Sequence, residues 1–233
     1  MDMEETNREA AELPGNAEMY HLDHVSELEK VKLKGKRILW LGSSVTWGHW
    51  SLQVSMADYI AKRQGCVCVK EAVSGTTLMN KDDESYVARL YKIDSEQKFD
   101  AAVVQLSTND ARQKIPLGRL PEEGVTEYDE KTVFGAMETI FDYIRKTWNC
   151  PTFIYTGTRF VDEEYQQMVD ALPVFAKKWG IHVIDLWNNE EMNKVSKEDF
   201  NLYMHDPVHP TQAGYLVWWT PFIEKKLCEV TNY

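Results

Sequence analysis

Five short apolar runs recur along the chain and indicate β-strands. Each has strand length and lacks strict alternation of apolar and polar positions; the runs cover residues 37–41, 66–70, 101–106, 151–156 and 181–186. Between them lie stretches with the length or periodicity of helices, at residues 54–64, 85–95, 134–148 and 163–178. Strands that alternate with helices need crossover connections, which predicts a parallel sheet. Runs that are apolar on both faces are typical of central strands covered by helices on both sides.

One connection between these elements is unusually long. Residues 111–132 join the third strand to the helix predicted from residue 134 and contain four turn-forming residues, Pro116, Gly118, Pro121 and Gly124. Connections of this length are uncommon and often serve as binding segments or lids. Residues 111–132 are therefore a candidate lid or binding segment, and the sequence does not decide between them.

The N-terminal region predicts little regular structure. Residues 1–17 are polar and acidic, which favours a frayed leader, and residues 18–31 predict a short helix before a turn at Gly35. The pattern therefore divides the chain into a leader with a short helix, residues 1–34, and one domain, residues 35–233.

The composition is that of a soluble globular protein, with 43% hydrophobic and 27% charged residues. A formal net charge of −11 argues against nucleic acid or an anionic membrane as a partner. No apolar stretch approaches the ~18 residues that span a bilayer. The N-terminus also lacks the basic and apolar regions of a secretory signal. We expect a cytoplasmic protein without membrane insertion, whose cysteines are free thiols rather than disulfides or metal ligands.

Candidate catalytic side chains lie where the predicted strands end. Ser44 follows the first run, and Asp206 and His209 precede a helical stretch that begins near Thr211. Ligands bind at the carboxyl ends of the strands in an open parallel sheet, so we expect these side chains to converge there. A serine nucleophile, a histidine base and an aspartate that orients it are the parts of a serine hydrolase. Taken singly, they have simpler explanations: a helix N-cap, a turn and a surface histidine.

Two further strand ends carry candidate hydrogen-bond donors. Gly75 follows the second run and Asn109 follows the third. Acyl transfer builds negative charge on the former carbonyl oxygen, and donors placed in advance stabilise it. The N–H groups of Ser44 and Gly75 and the Asn109 amide are candidates for such an oxyanion hole. A tight turn at Gly75 and an Asx-turn at Asn109 are the alternatives.

The pattern disfavours metal and nucleotide cofactors. His205, Asp206 and His209 could suggest a metal site, but Pro207 and Pro210 prevent the regular helix of a His-Glu-x-x-His zinc motif. No glycine-rich phosphate-binding loop follows the first run. We expect no metal and no other cofactor.

Four sequence blocks resemble those of the SGNH/GDSL hydrolase family. They are Gly42-Ser43-Ser44 with Gly48, Ala72-Val73-Ser74-Gly75-Thr76-Thr77, Ser107-Thr108-Asn109-Asp110, and Asp206-Pro207-Val208-His209 followed by Pro210, Thr211 and Gly214. The blocks occur in the family order and extend over residues 42 to 214. The resemblance implies a three-layer α/β/α, flavodoxin-like fold with a five-stranded parallel sheet, and ester hydrolysis without a metal. It also implies catalytic Ser44, Asp206 and His209, with Ser44, Gly75 and Asn109 in the oxyanion hole.

Two positions depart from the family pattern. Ser43 replaces the aspartate of the first block, which removes polar contacts that usually brace that turn. Ser107 replaces the glycine of the third block, which restricts the backbone beside Asn109. Neither change removes a group that the chemistry requires.

The residues near these blocks indicate the substrate class. Trp47, Thr76, Asp110 and Arg159 are the candidate substrate contacts. Aromatic side chains can stack on a sugar or wall an acyl pocket, but they also pack helices onto sheets. Arg159 can pair with a substrate carboxylate or phosphate, or with Asp162 or Glu163. Our leading hypothesis is an esterase for small acyl groups such as acetyl groups on a carbohydrate.

Two alternatives stay open at this point. The same site could cleave acyl thioesters or phospholipid acyl bonds, or the chain could be a non-catalytic ligand-binding relative. The presence of Ser44, Asp206 and His209 together argues against a pure binding module. The sequence leaves the oligomeric state undetermined.

Overall fold

The sheet of the computed structural model, which describes residues 3–231, has five parallel strands, as predicted. They are β1 (Arg37–Gly42), β2 (Val67–Ala72), β3 (Ala101–Gln105), β4 (Thr152–Tyr155) and β5 (His182–Ile184). The order across the sheet is β2-β1-β3-β4-β5, and each neighbouring pair is parallel. This is the flavodoxin-like order, which places a crevice where the winding reverses beside β1 and β3.

Helices follow the strands. The α-helices are α1 (Met3–Ala11), α2 (Ser44–Trp47), α3 (Met56–Gln64), α4 (Tyr86–Lys92), α5 (Thr108–Arg112), α6 (Val133–Thr147), α7 (Glu163–Trp179), α8 (Lys197–Tyr203) and α9 (Thr220–Val230). A π-helical segment, Gly214–Trp219, leads directly into α9. The four helices predicted between the strands correspond to α3, α4, α6 and α7, and the predicted C-terminal helical stretch is also present.

Two apolar cores cover the two faces of the sheet. Side chains of β1 alternate between them: Leu39 and Leu41 pack with α4, α6 and α7, whereas Ile38 and Trp40 pack with α3 and α9. Successive residues of a strand point to opposite faces, so a run that is apolar throughout serves both cores. The result is the predicted three-layer α/β/α arrangement.

The N-terminal region differs from its predicted structure. Residues 3–11 are helical rather than frayed, and the helix expected over residues 18–31 is replaced by the 3₁₀ turns Glu18–Tyr20 and Leu22–His24. Tertiary hydrogen bonds explain the second difference. The Leu28 N–H donates to the Arg63 carbonyl oxygen at 2.8 Å, and the Lys32 N–H donates to Gln64 Oε1 at 2.9 Å. The backbone beyond residue 24 therefore pairs with the end of α3 instead of with itself.

The long connection over residues 111–132 contacts helices α6 and α7. The Val133 and Phe134 N–H groups donate to the carbonyl oxygens of Pro116 and Leu117 at 3.0 and 2.8 Å. Tyr128 packs edge-on against Trp179 of α7. These contacts attach the connection to α6 and α7. They do not test whether it acts as a lid, which stays a prediction.

Two sequence expectations concern features away from the site. Within residues 3–231, no helix combines the length and the apolar character that a membrane crossing requires. Cys66, Cys68 and Cys150 are half-buried free thiols, as their spacing predicted. Burial raises the pKa of the Cys66 and Cys150 thiols to about 11 and that of Cys68 to about 12.

Candidate active site

Ser44 lies at the start of α2, directly beyond the carboxyl end of β1. The turn between β1 and α2 is tight, because a Cβ on Gly42 would collide with the Thr46 side chain. Glycine at position 42 therefore allows the turn that carries Ser44. The Ser44 side chain is buried, with 6% of the residue exposed. Its hydroxyl therefore has little contact with solvent.

Ser44, His209 and Asp206 form a continuous chain of hydrogen bonds. Ser44 Oγ lies 2.8 Å from His209 Nε2, and His209 Nδ1 lies 2.8 Å from Asp206 Oδ2. Asp206 Oδ1 accepts the N–H groups of Val208 and His209 at 2.7 and 2.8 Å. The loop between α8 and the C-terminal helical segment thus presents the imidazole to Ser44 across 165 residues of sequence.

The electrostatics of Asp206 favour its charged form. Burial alone raises the pKa of this carboxyl, but its hydrogen bond to His209, the nearby imidazole charge and the two backbone N–H groups outweigh that effect. They lower the pKa to about 2. Asp206 is consequently an anion throughout the neutral pH range and holds the proton of His209 on Nδ1.

Gln105 braces the turn that carries Ser44. Its Oε1 accepts the N–H groups of Ser43 and Thr46 at 2.9 and 3.1 Å, and its Nε2 donates to Ser43 Oγ at 3.0 Å. Thr46 Oγ1 also donates to Gln105 Oε1 at 2.8 Å and lies 2.6 Å from the Tyr155 hydroxyl. The turn therefore keeps a polar brace even though Ser43 stands where the family pattern has an aspartate.

The residues predicted for the oxyanion hole lie in adjacent loops. Gly75 has a φ of +82°, a left-handed conformation that favours glycine. The Asn109 side-chain amide donates to the Thr76 carbonyl oxygen at 2.9 Å, which joins its loop to that of Gly75. An amide NH₂ has two hydrogens, so one remains for another acceptor. Among residues 3–231, the N–H groups of Ser44 and Gly75 have no hydrogen-bond acceptor.

Ser107 has a defined role although it departs from the family pattern. It caps α5, since its Oγ accepts the N–H groups of Asn109 and Asp110 at 3.2 and 3.4 Å. Its φ of −76° is open to any residue, so a glycine is not needed there. The substitution therefore supports the loop that carries Asn109.

Asp110 is not placed as a substrate contact. It is fully buried, and its carboxylate accepts the N–H groups of Leu78 and Met79 at 2.8 and 3.1 Å. Burial raises the pKa of Asp110 to about 6, although hydrogen bonds from Ser107 and these N–H groups act in the opposite direction. Asp110 thus holds the segment that follows Gly75, at Leu78 and Met79.

The other predicted substrate contacts lie at different distances from Ser44. Thr76 is adjacent to Gly75, and its Oγ1 donates to the Val73 carbonyl oxygen at 2.7 Å. Trp47 packs beside Lys70, whose Nζ lies 5.8 Å from the ring centroid. Arg159 is exposed and lines a cavity of about 570 Å³ together with Asp206 and His209. Arg159 thus shares a cavity with His209, Thr76 follows Gly75, and Trp47 ends the short helix that begins at Ser44.

Three aromatic residues form a wall, in which His49 is the one that the sequence analysis missed. The His49 ring centroid lies 5.6 Å from that of His209, and His49 Nδ1 lies 3.5 Å from Ser74 Oγ. Behind His49, Trp50 stacks on His205 with centroids 3.6 Å apart. Burial lowers the pKa of His49, and the nearby His209 ring lowers it further, whereas Asp206 opposes this shift. The only sequence indication was proximity to Ser44.

A buried arginine, Arg89, was also missed. It has 6% of its surface exposed, and its guanidinium donates to the carbonyl oxygens of Gly42, Glu71 and Glu84 at 2.7, 2.5 and 2.7 Å. It also lies 3.3 Å from Thr76 Oγ1. Arg89 therefore joins the ends of β1 and β2 to the loop that carries Gly75.

The donor groups for a metal centre are not assembled in the part of the chain that the structure describes. Residues 3–231 contain no cluster of three or more His, Cys, Asp or Glu side chains arranged to hold an ion. His205 stacks on Trp50 rather than joining His209 and Asp206.

Comparisons with known proteins agree with this geometry. The sequence model of the GDSL-like lipase/acylhydrolase family matches residues 40–217. No match was found among curated proteins. A Lactobacillus plantarum protein has a similar fold, with 20% sequence identity, a TM-score of 0.66, and coverage of 84% of this chain and 96% of that one. A Bacteroides ovatus protein described as a GDSL-like lipase has 18% sequence identity, a TM-score of 0.64, and coverage of 84% of this chain and 100% of that one.

A more distant fold match is a family two carbohydrate esterase from Clostridium thermocellum, solved in complex with cellohexaose. It shares 12% identity and a TM-score of 0.57, over 88% of this chain and 65% of that one. The family model covers the end of the strand that leads to Ser44, the loops of Gly75 and Asn109, and the loop of His209. The chain therefore belongs to the GDSL-like lipase/acylhydrolase family.

Proposed function

We propose that the chain is a serine esterase that hydrolyses esters of small acyl groups without a metal ion. The observation that carries the proposal is the hydrogen-bonded chain from Ser44 through His209 to Asp206, with 2.8 Å at both links. A buried hydroxyl within reach of an oriented imidazole is the arrangement that activates a serine nucleophile.

The first half of the reaction forms an acyl-enzyme. Ser44 Oγ attacks the ester carbonyl carbon while its proton moves to His209 Nε2. The oxyanion accepts hydrogen bonds from the Ser44 and Gly75 N–H groups and from Asn109. When the tetrahedral intermediate collapses, the bond between carbon and the alcohol oxygen breaks. His209⁺ then donates its proton to that oxygen, and Asp206 stabilises the imidazolium throughout.

The second half returns the enzyme to its starting state. His209 removes a proton from water, and the resulting hydroxide adds to the acyl carbon. The new intermediate collapses with Ser44 Oγ as the leaving group, which recovers its proton from His209⁺. The products are a carboxylic acid and the free Ser44.

The aromatic wall favours a small acyl group. His49 lies between His209 and Ser74, and the Trp50–His205 stack packs behind it. A long acyl chain directed toward this wall would have to displace these rings. An acetyl group requires no such displacement, and acetylated carbohydrates remain the leading substrate class.

The proposal is tested with a series of p-nitrophenyl esters from acetate to octanoate, assayed in EDTA. We expect the highest kcat/KM for acetate, and acid quenching during turnover should trap one acetyl group on the peptide that contains Ser44. Faster turnover of octanoate would refute the small-acyl assignment. Activity that EDTA abolishes would refute the metal-free mechanism.

A further inference from the structure

A cavity beside His209 contains two cationic side chains that the proposed mechanism does not use. The cavity has a volume of about 570 Å³. Its walls are the loop of Asp206 and His209, the connection between β4 and α7, the end of α5, and Phe200 in the middle of α8. Arg112, at the end of α5, and Arg159, beyond β4, both line it.

Neither guanidinium has an anionic partner. Among residues 3–231, no carboxylate oxygen lies within 4.0 Å of Arg112 or Arg159. The alternative partner Asp162 caps α7 instead, accepting the Tyr165 N–H at 2.8 Å. In a chain with a net charge of −11, two unpaired arginines at one cavity indicate a site for an external anion.

The hydrogen-bond partners of Arg159 are neutral groups. Its backbone N–H donates to Asn193 Oδ1 at 2.7 Å, and its Nη2 lies 3.4 Å from Asn188 Oδ1. Amide oxygens orient a guanidinium without neutralising it, so its charge remains available. Arginine is also the cation best suited to planar, bidentate binding of carboxylate or phosphate.

The anion of Asp206 also borders the cavity, but three of its four lone pairs already accept hydrogen bonds within the chain. Its two oxygens accept hydrogen bonds from His209 Nδ1 and from the N–H groups of Val208 and His209. These donors offset its negative charge. The two arginines therefore dominate the recognition of a ligand there.

Resting on the proposed esterase function, we propose that Arg112 and Arg159 bind an anionic group on the alcohol portion of the ester. His209 protonates the leaving alcohol, so the alcohol portion must lie on the side of the site that His209 occupies. A carboxylate or phosphate on that portion would reach the cavity next to His209. The substrate class is therefore an acyl ester of an anionic alcohol, such as an acidic or phosphorylated sugar.

The test compares three acetate esters of similar size: 4-acetoxybenzoate, 4-acetoxyphenyl phosphate and the neutral 4-acetoxybenzamide. We expect wild type to favour at least one anionic ester over the amide by about tenfold or more in kcat/KM. This preference should fall about tenfold in Arg112→Gln and in Arg159→Gln. It should also weaken as NaCl is raised. Whichever anion is preferred identifies the group as carboxylate or phosphate.

Arg119→Gln is the matched control, because Arg119 is exposed and lines a different cavity between residues 118–132 and α6. It should keep the wild-type preference. Equal turnover of all three esters, or an unchanged preference in both arginine variants, would overturn the proposal.

A binding measurement separates this proposal from the esterase assignment. Titration of Ser44→Ala with 4-hydroxybenzoate and 4-hydroxyphenyl phosphate needs no turnover. If no ester is hydrolysed but anion binding is lost on adding Arg159→Gln, the esterase function fails and the anion site stands. If esters are hydrolysed and neither anion binds more tightly than 4-hydroxybenzamide, the anion site fails alone.

Discussion

At the scale of single residues, the side chains around Ser44 compensate for the two departures from the family motif. Gln105 supplies the brace that an aspartate at position 43 would give, since it bonds both the backbone and the side chain of Ser43. Ser107 adds a helix cap that a glycine could not provide. Because the Gln105 bonds join two distant segments and the Ser107 bonds cap a helix locally, we expect each departure to be structurally neutral.

Asp206→Asn is the residue-scale test of the hydrogen-bonded chain. An amide at this position can donate to His209 Nδ1, which favours the tautomer that carries its proton on Nε2. In that tautomer Nε2 cannot accept the proton of the Ser44 hydroxyl. We expect kcat/KM for p-nitrophenyl acetate to fall on the order of 10²–10⁴-fold. A loss smaller than threefold would contradict the role of Asp206.

The pKa of Asp206 predicts a pH dependence of stability. It is about 2 in the folded chain, against ~3.9 for an aspartate in an unfolded chain. The folded state therefore binds this proton less tightly, and the stabilisation is complete above about pH 4 and lost as the pH falls through 2. The free energy of unfolding of wild type minus that of Asp206→Asn should decrease as the pH is lowered from about 4 to 2.

The sequence could reveal the reacting groups but not their surroundings. Ser44, Asp206 and His209 belong to short motifs whose residue types carry the chemistry. His49 belongs to no motif, and its position depends on which loops meet in space. Asp110 belongs to the third block, but the sequence does not reveal that it is buried and bonded to the N–H groups of Leu78 and Met79.

At the scale of elements, Arg89 of α4 connects two strand ends with the loop that carries Gly75. Arg89 reaches the ends of β1 and β2 and the hydroxyl of Thr76. Burial lowers the pKa of its guanidinium, and its hydrogen-bond acceptors are neutral. It therefore sets the spacing between the loop of Gly75 and the turn of Ser44.

Arg89→Lys should disturb both stability and catalysis. A lysine cannot satisfy three carbonyl oxygens in the geometry of the guanidinium, so we expect a loss of roughly 1–3 kcal/mol in the free energy of unfolding. The displaced Gly75 loop should lower kcat more than it raises KM. Denaturant unfolding and steady-state kinetics measure the two effects.

Arg63→Lys is the control, because Arg63 bonds Glu224 between α3 and α9, away from Ser44. It should lower stability and leave kcat close to wild type. Equal kcat values in the two variants would mean that Arg89 has no specific effect on the site.

The elements were predictable where apolar periodicity extends over many residues. α6 and α7 agree with their predicted spans to within a residue, and all five strands were located. The structure of residues 18–31 was not predicted correctly. The backbone of this segment forms a hydrogen bond with α3, and no local sequence pattern encodes that contact. Local propensity gives way to tertiary hydrogen bonds in such segments.

At the scale of the whole molecule, the N-terminal segment is joined to the loops around the site. The buried Asn16 side chain donates to the carbonyl oxygens of Ala10 and Trp50 at 2.7 and 2.9 Å and accepts the Gln212 N–H at 2.8 Å. Trp50 belongs to the aromatic wall, and Gln212 lies three residues beyond His209. We therefore expect residues 3–34 to unfold together with the rest of the chain.

Asn16→Ala tests this coupling. It leaves buried partners unpaired, so the free energy of unfolding should fall by roughly 1–3 kcal/mol, with one cooperative transition retained. Asn201→Ala is the control, since Asn201 is exposed on α8. A loss no greater than that of the control would mean that the segment is a dispensable leader.

The identity of the nucleophile is the central claim, and one kinetic comparison tests it most directly. Hydrolysis of p-nitrophenyl acetate in EDTA is measured for wild type, Ser44→Ala and the neighbouring Ser43→Ala. We predict that Ser44→Ala loses at least about 10³-fold in kcat while Ser43→Ala stays within about tenfold of wild type. Full activity in Ser44→Ala, or a greater loss in Ser43→Ala, would contradict the account.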